Sequence, residues 1–460
     1  MNPWLVLILI FIFFQDAVAD HIGPLEILPS LKAAPECRAP EIRQNNPCVA
    51  FGTSVYLVAW RDGARQPVED AADIYCARID PATGSSLDPD GILVCNAPNV
   101  QGYPSVSFDG KRFLIVWEDF RNGRDYDIYA AVVDEKGVVS KTNGMPVSTK
   151  SGNQARPSVS YGKGNYFVVW MDARNYPVYS LVGARVSDAG ACIDPEGIFL
   201  DGESPDNIQK VLPENGKWLG DDEYWWADLN SRGNPSIACR GNECAVAYRI
   251  EAGKFGKTQA AMLALDPSSG KLLERPLVFE GSWVVDKPGI IGTVKGWGVA
   301  FNHWIGGWNC EPTLSFVEVR GKWPQRLTFA EKDKRGNLFF PHETLEKGYA
   351  VGKGQISPFQ AAMAWSGKYA LLSMEFGWRT ADPPTPHSAI LLNYYNPADD
   401  VSANKFMNKS LWLDKSEQRA GSSVANPALA SGPNGECLLV YEKDTGLNSR
   451  FVLSRIIKGK

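Results

Sequence analysis

After its first 19 residues, apolar residues in this chain fall mostly in short runs of roughly four to eight, bounded by Gly, Pro, Asn and Asp, and no stretch sustains a helical period. The clearest unit begins Pro104-Ser105-Val106-Ser107-Phe108, turns at Asp109-Gly110 and continues through Phe113-Leu114-Ile115-Val116-Trp117. After the polar link Glu118 to Arg121 it resumes as Ile128-Tyr129-Ala130-Ala131-Val132-Val133. Apolar runs of that length between turn residues predict three neighbouring strands of one antiparallel sheet.

The unit recurs. Pro47 and Trp60, Pro104 and Trp117, Pro157 and Trp170, Pro235 and Tyr248, and Pro288 and Phe301 all stand thirteen positions apart. A sixth copy is degenerate, with Pro358 displaced from Ser366-Gly367-Lys368-Tyr369-Ala370-Leu371-Leu372, and a seventh runs from Pro427 through Asn434-Gly435 to Leu438-Leu439-Val440-Tyr441. Steps of 57 (47 to 104) and 53 (104 to 157) belong to propeller blades rather than helical solenoids. The expected fold is all-β: a seven-bladed β-propeller of four-stranded antiparallel blades beginning near 47, 104, 157, 235, 288, 358 and 427. The seventh copy runs out after its third strand, Phe451 to Ile456, so residues 23–28 are expected to complete the last blade and close the ring.

Trp4 to Phe14 is an unbroken apolar run too short to span a bilayer as a helix, and Ala17-Val18-Ala19 follows it. Residues 1–19 therefore read as a signal peptide and 20–460 as one propeller domain, secreted or periplasmic, with no membrane insertion after cleavage. A net charge of −5 with no basic cluster argues against a nucleic-acid partner.

Export makes disulfides available to the nine Cys. Cys239 with Cys244 is the hairpin pair; Cys76 with Cys95 and Cys37 with Cys48 are the other local pairs, leaving Cys192, Cys310 and Cys437 as candidates for free or intermolecular thiols. No Cys spacing points to haem or zinc, and no cofactor is expected. Asn408-Lys409-Ser410 fits an N-glycosylation sequon.

The repeat resembles those of secreted bacterial β-propeller proteins, of the type Pro-x-Val-Ala-x-(Asp)-Gly-x-x-Tyr-Leu-Val-Val-Trp-x-Asp-x-Arg followed by Asp-Ile-Tyr-x-x-Arg-Val. Copies two and three carry it nearly complete. The resemblance implies fold and export; the scaffold hosts many functions. Ser107-Phe108-Asp109-Gly110 only grazes the Ser-x-Asp-x-Gly-x-x-Trp box of sialidase-type propellers. Asp80-Pro81-Ala82-Thr83-Gly84 echoes a quinoprotein turn without its docking Trp.

The repeated Trp, Asp and Arg have two readings. They tie one blade to the next, as repeated positions in an array usually do, or Asp62, Asp119 and Asp172 form a ring facing a ligand. Function is better sought where the repeat is interrupted: 200–233, 302–312, 322–356, 375–388 and 396–424 all leave from one face. These segments hold the ligand-binding candidates Asp221, Asp222, Glu223, Trp225, Trp226, His303, Trp304, Trp308, His342, Trp378, Arg379 and His387. His303, His342 and His387 are the metal candidates, though they lack a His-x-x-x-His spacing. Carboxylates beside Trp suit sugars, and the same indoles would anchor a long loop.

The expected function is binding of a carbohydrate or protein partner by that face. Two alternatives stay open: a glycan-acting hydrolase, sialidase- or glycosidase-like, using its carboxylates and His, and a structural subunit of an extracytoplasmic complex.

Overall fold

The computed structural model describes residues 20–22, 25–27, 31–32, 42–63, 71–176, 178–202, 231–252, 257–274, 276–279, 287–293, 296–306, 309–318, 325–328, 331–332, 338–339, 356–379, 386–395, 410–415, 422–445 and 449–459. Among them every regular element is a strand.

The chain folds as an all-β propeller in which five blades stand as separate four-stranded antiparallel sheets. The blade containing Trp117 is built from Gln101–Phe108, Arg112–Asp119, Asp127–Asp134 and Met145–Ser148, each strand paired with the next. The same meander recurs from Gln154–Gly162, from Ser231–Arg240, from Gly289–Gly292 and from Ile356–Trp365. A ten-stranded sheet holds two further meanders, Ile42–Phe51 to Ile92–Cys95 and Ser422–Ser431 to Ser449–Gly459. They are joined by a two-residue parallel contact, Ser449 with Ile42 and Arg450 with Arg43. Leu25–Ile27 lies antiparallel on the far side of Ser449–Gly459, with Leu25 opposite Gly459 and Ile27 opposite Ile457.

The core is a set of layers between sheets rather than one central mass. Strands buried on both faces read as continuous apolar runs, which is why Phe113 to Trp117 and Tyr166 to Trp170 are wholly inaccessible. One layer joins Ile115, Trp117 and Ala131 to Leu57, Ala59 and Ile74; another joins Leu114, Val116 and Val132 to Tyr166, Val168 and Ala184.

Each meander exposes the inner edge of its first strand, whose N–H groups need acceptors. Serines of the preceding blade supply them: Val159 N–H donates to Ser105 Oγ at 3.2 Å and Tyr161 N–H to Ser107 Oγ at 3.0 Å. The next blade repeats this, with Ile237 on Ser158 and Cys239 on Ser160. First strands of these meanders line an axial cavity of ≈ 490 Å³.

Two expectations are corrected here. Cys76 and Cys95 are separate buried thiols and Cys48 is also free, so neither local pair forms; Cys76 stands opposite Ile92 and Cys95 opposite Ile74. Cys37 lies outside the described residues. The Cys239–Cys244 bond is present, across a directly paired register position. Secondly, 302–312 and 375–388 are not simply loop insertions. Gly296–Gly306 pairs with Asn309–Glu318, and Ala370–Arg379 pairs with Pro386–Tyr395, because aromatic-rich sequence continues the ladder past the repeat's aromatic position. Likewise 322–356 contains Gln325–Thr328, the fourth strand of its blade.

Candidate functional site

The repeated aspartates turn inward and face no solvent. Asp62, Asp119 and Asp172 are each 0% exposed. Trp60, Trp117 and Trp170 donate their indole N–H to them at 3.1, 2.8 and 2.9 Å. Arg121 grips Asp119 with Nε at 2.8 Å and Nη2 at 2.6 Å, and Arg174 holds Asp172 in the same way at 2.8 and 2.7 Å. The guanidinium groups also tie to the turn before the fourth strand: Arg121 Nη2 donates to Asn143 O as well, and Arg174 Nη1 donates to Glu196 O. Two alternating strand positions place an indole and a carboxylate on one side, and planar fork geometry does the rest. In the copies with Tyr in the Trp position, the phenol reaches a carboxylate of the preceding blade instead: Tyr248 donates to Asp201 at 2.7 Å and Tyr441 to Asp414 at 2.9 Å. The Trp–Asp–Arg sets are thus satisfied ties within single blades, and the Tyr–Asp bonds join neighbouring blades.

Chemistry with unmet valences lies nearer the axis. A bulge interrupts the first strand just before the repeat Pro, and the residue there takes a positive φ: 51° at Asn46, 46° at Tyr103, 54° at Arg156, 48° at Asn234 and 51° at Asn426. Bulges of this kind re-aim side chains. Carboxylates from the preceding blade cap several of them: Glu118 accepts from Arg156 N–H at 2.8 Å, Glu442 from Asn46 N–H at 2.6 Å and Glu375 from Asn426 N–H at 3.2 Å.

Between the bulge residues and those following the repeat aromatic, one cluster forms from separate blades: Arg61, Tyr103, Glu118, Tyr126, Arg156 and Lys287. The Arg156 guanidinium carbon stands 3.4 Å from the centre of the Tyr103 ring. Burial pushes the Glu118 carboxyl above its usual range, opposed by the Arg156 amide and by the charges of Arg156 and Arg61. The Tyr126 phenol is raised by burial and by Glu118, with Arg61 opposing. Lys287, which directly precedes its blade's Pro288, is drawn down to about 8 by burial, and the Arg156 charge adds to the effect. Cys48 stands near Lys287 but is held up at about 12 by burial, so it is no thiolate at neutral pH. Arg61 Nε is buried with no hydrogen-bond partner.

All six sit where first strands begin and second strands end, the end from which the long inserted segments leave. Every one of Asp221, Asp222, Glu223, Trp225, Trp226, Trp308 and His342 lies outside the described residues. His303 and Trp304 stand opposite Glu311 and Cys310 in a ladder, and Trp378 and Arg379 stand opposite His387 and Pro386. Pairing thus brings Trp378 and His387 together. Among the described residues no group of three or more His, Cys, Asp and Glu could hold a metal. The axial cluster was not anticipated from the sequence. The signal that could have found it is variation, at the position before the repeat Pro and the position after the repeat aromatic, within an otherwise regular array.

No family model matches the chain, and no curated protein matches it. Among solved structures it is similar to a protein of unknown function from Dyadobacter fermentans, at 11% identity and a TM-score of 0.46, covering 95% of this chain and 100% of that one. It is also similar to the subtype N11 neuraminidase-like protein of A/flat-faced bat/Peru/033/2010, at 10% identity and TM-score 0.41, covering 96% of this chain and 98% of that one. Trypanosoma rangeli sialidase in complex with the inhibitor DANA gives 8% identity and TM-score 0.43, covering 95% of this chain and 60% of that one. At these scores the likenesses transfer neither residues nor an activity.

Proposed function

We propose that this chain is an exported, seven-bladed propeller that binds a carbohydrate at the axis of its insertion-bearing face. The blade count rests on the strands around the axial cavity. Ala50, Val106, Val159, Ile237, Ile290, Met363 and Leu429 all line it, one from the first strand of each meander. Leu25–Ile27 alongside Ser449–Gly459 is the fourth strand of the last blade and closes the ring. Export is supported by the apolar run at 4–14 together with the Cys239–Cys244 disulfide; among the described residues no helix is long and apolar enough to cross a membrane.

The observation that carries the binding reading is the axial cluster itself. Tyr103 and Tyr126 offer aromatic faces, Arg61, Arg156 and Lys287 offer donors, and Glu118 offers an acceptor, all at one open end of a rigid scaffold. Sugar recognition uses that combination. The second reading, a glycan-acting hydrolase, is favoured by one observation: Glu118 is a carboxyl held above its usual range, as a general acid requires. The test is a panel of glycans presented to the purified protein, scored both for binding and for released reducing ends. Binding without release supports the first reading and release the second. Failure of every glycan to bind or react removes both and leaves a protein partner or a structural subunit.

A further inference from the structure

Resting on the reading of the axial cluster as a ligand site, we propose that the ligand carries an oxyanion, a carboxylate or sulfate substituent of a glycan, held by Arg61, Arg156 and Lys287.

Several other arginines of this protein are held by a carboxylate. Arg78 is clasped by Asp88 at 2.7 Å, Arg121 by Asp119 at 2.6 Å, Arg174 by Asp172 at 2.7 Å and Arg185 by Asp194 at 2.7 Å. Pairing is the commoner arrangement for a partly buried guanidinium, with Arg240, beside the Trp297 ring, as an exception away from the axis. At the axis it fails: among the described residues Arg61, Arg156 and Lys287 make no ion pair, although all three are at least half-buried. The one carboxylate in the cluster, Glu118, directs an oxygen at the Arg156 main-chain N–H. Among the described residues of the cluster, Arg61 and Arg156 therefore share one carboxylate, and Lys287 is placed beside Arg156 rather than beside a counter-charge. Like charges gathered in a partly desolvated place repel, and Lys287 registers that repulsion directly from Arg156. A cluster of this kind is relieved by a bound anion.

The geometry also limits what that anion is. Arg156 is stacked on Tyr103, which fixes the plane of its guanidinium and leaves its N–H edge for a ligand. Arg61 contributes an unused Nε–H. Planar, fixed donors of this type match the paired oxygens of a carboxylate or sulfate, and Lys287, which precedes the strand Gly289–Gly292 of another blade, adds a point charge. Tyr103, Glu118 and Tyr126 come from one blade and Arg61, Arg156 and Lys287 from three others, so the site exists only in the assembled propeller.

The test is calorimetric titration of the whole protein with sodium sulfate, sodium glucuronate and neutral glucose, at ionic strength held constant with sodium chloride. Sulfate or glucuronate is expected to bind and glucose to bind more weakly. Arg156→Gln and Lys287→Gln should each weaken oxyanion binding by about tenfold, while Lys111→Gln, at an exposed turn, leaves it unchanged. Lys287→Arg, which keeps the charge, should retain binding and covers the case in which Lys287→Gln does not fold. Folded Gln variants that bind sulfate and glucuronate as the parent does would overturn the proposal. A glycan panel separates it from the broader reading. Neutral and acidic glycans bound equally would sink the oxyanion and leave carbohydrate binding intact. Variant-sensitive sulfate binding with no glycan bound would do the reverse. Comparison of glucuronate-bearing with sulfate-bearing disaccharides tells the two oxyanion sources apart.

Discussion

Trp117 and Asp119, two positions apart on one strand, are joined side chain to side chain: the indole N–H donates to Asp119 Oδ2 at 2.8 Å, and Arg121 closes on the same carboxylate. Asp119 is thus a buried charge with a complete set of partners. Asp119→Ala removes the acceptor from a buried indole and leaves the half-buried Arg121 without its counter-charge. The expected loss is about 3 kcal/mol, on the scale of breaking one side of a buried ion pair. Urea unfolding measures it. Ligand binding at the axis should be unaffected in the folded fraction, since Asp119 takes no part in that cluster.

The serine bridges between first strands make a second prediction. Ser105→Ala and Ser107→Ala each remove the acceptor of one N–H on the neighbouring blade. Each should cost about 1 kcal/mol, and the double variant about twice that, read from denaturant midpoints. Ser→Ala at 105 and 107 having no effect would mean that water serves those N–H groups equally well.

Gly144 takes φ +70° directly against the repeat tryptophan. A Cβ there would lie 2.4 Å from Trp117 Cη2 and 2.6 Å from Ala130 O. Gly144→Ala combines a left-handed backbone with a clash against main chain and a buried ring, and should destabilise by about 2 kcal/mol or more. Gly110→Ala is the control: φ is +98°, but no atom lies within 4 Å of its Cβ, so only the backbone term remains.

Asp127 supplies a pH dependence. It is 4% exposed and pushed up to about 6, by burial first and then by Asp125, with Asn122 opposing. A carboxyl raised in the folded state favours folding while it is protonated. That contribution is complete below about pH 4 and is lost as pH rises through about 6. Asp127→Asn should therefore stabilise the protein at pH 7 by on the order of 2 kcal/mol and change little at pH 4. Thermal unfolding at the two pH values decides it; equal shifts at both would refute the assignment.

Removal of residues 20–32 should lower the unfolding temperature of the whole protein, because Leu25–Ile27 and Leu31–Lys32 both pair with Ser449–Gly459. An unchanged transition in the truncated protein would rule out a structural role for that segment.

Blade architecture was legible in the sequence because each copy repeats a fixed interval between a Pro and an aromatic, and burial on both faces makes the second strand an unbroken apolar run. Pairing of the N-terminal strand with the last meander was legible for a related reason: the last copy lacked a strand and the N-terminal segment matched its type. Neither the serine bridges nor the axial cluster could be read in this way. Ser105 and Ser158 look like ordinary polar positions of a strand, and their role depends on which edge lies beside them. Arg61, Glu118, Arg156 and Lys287 are far apart in sequence and share no motif; only the circular arrangement of blades brings them together. His303, Trp304, Trp378, Arg379 and His387 stood out by residue type, but their strands continue further than the repeat implied.

Ser454 donates to the carbonyl of Leu31 across 423 positions of sequence, in the same sheet that receives Leu25–Ile27. Contacts of such separation form late, after the loop-closure entropy of nearly the entire chain has been overcome. Until Ser449–Gly459 is available, the N-terminal strands have no place to dock and the last meander's edge stays open. Docking of the N-terminal strands on Ser449–Gly459 is therefore expected to be a late step of folding. During it, an unpaired edge is exposed to other chains, and slow synthesis or early proteolysis near residue 450 would strand the molecule in that aggregation-prone state.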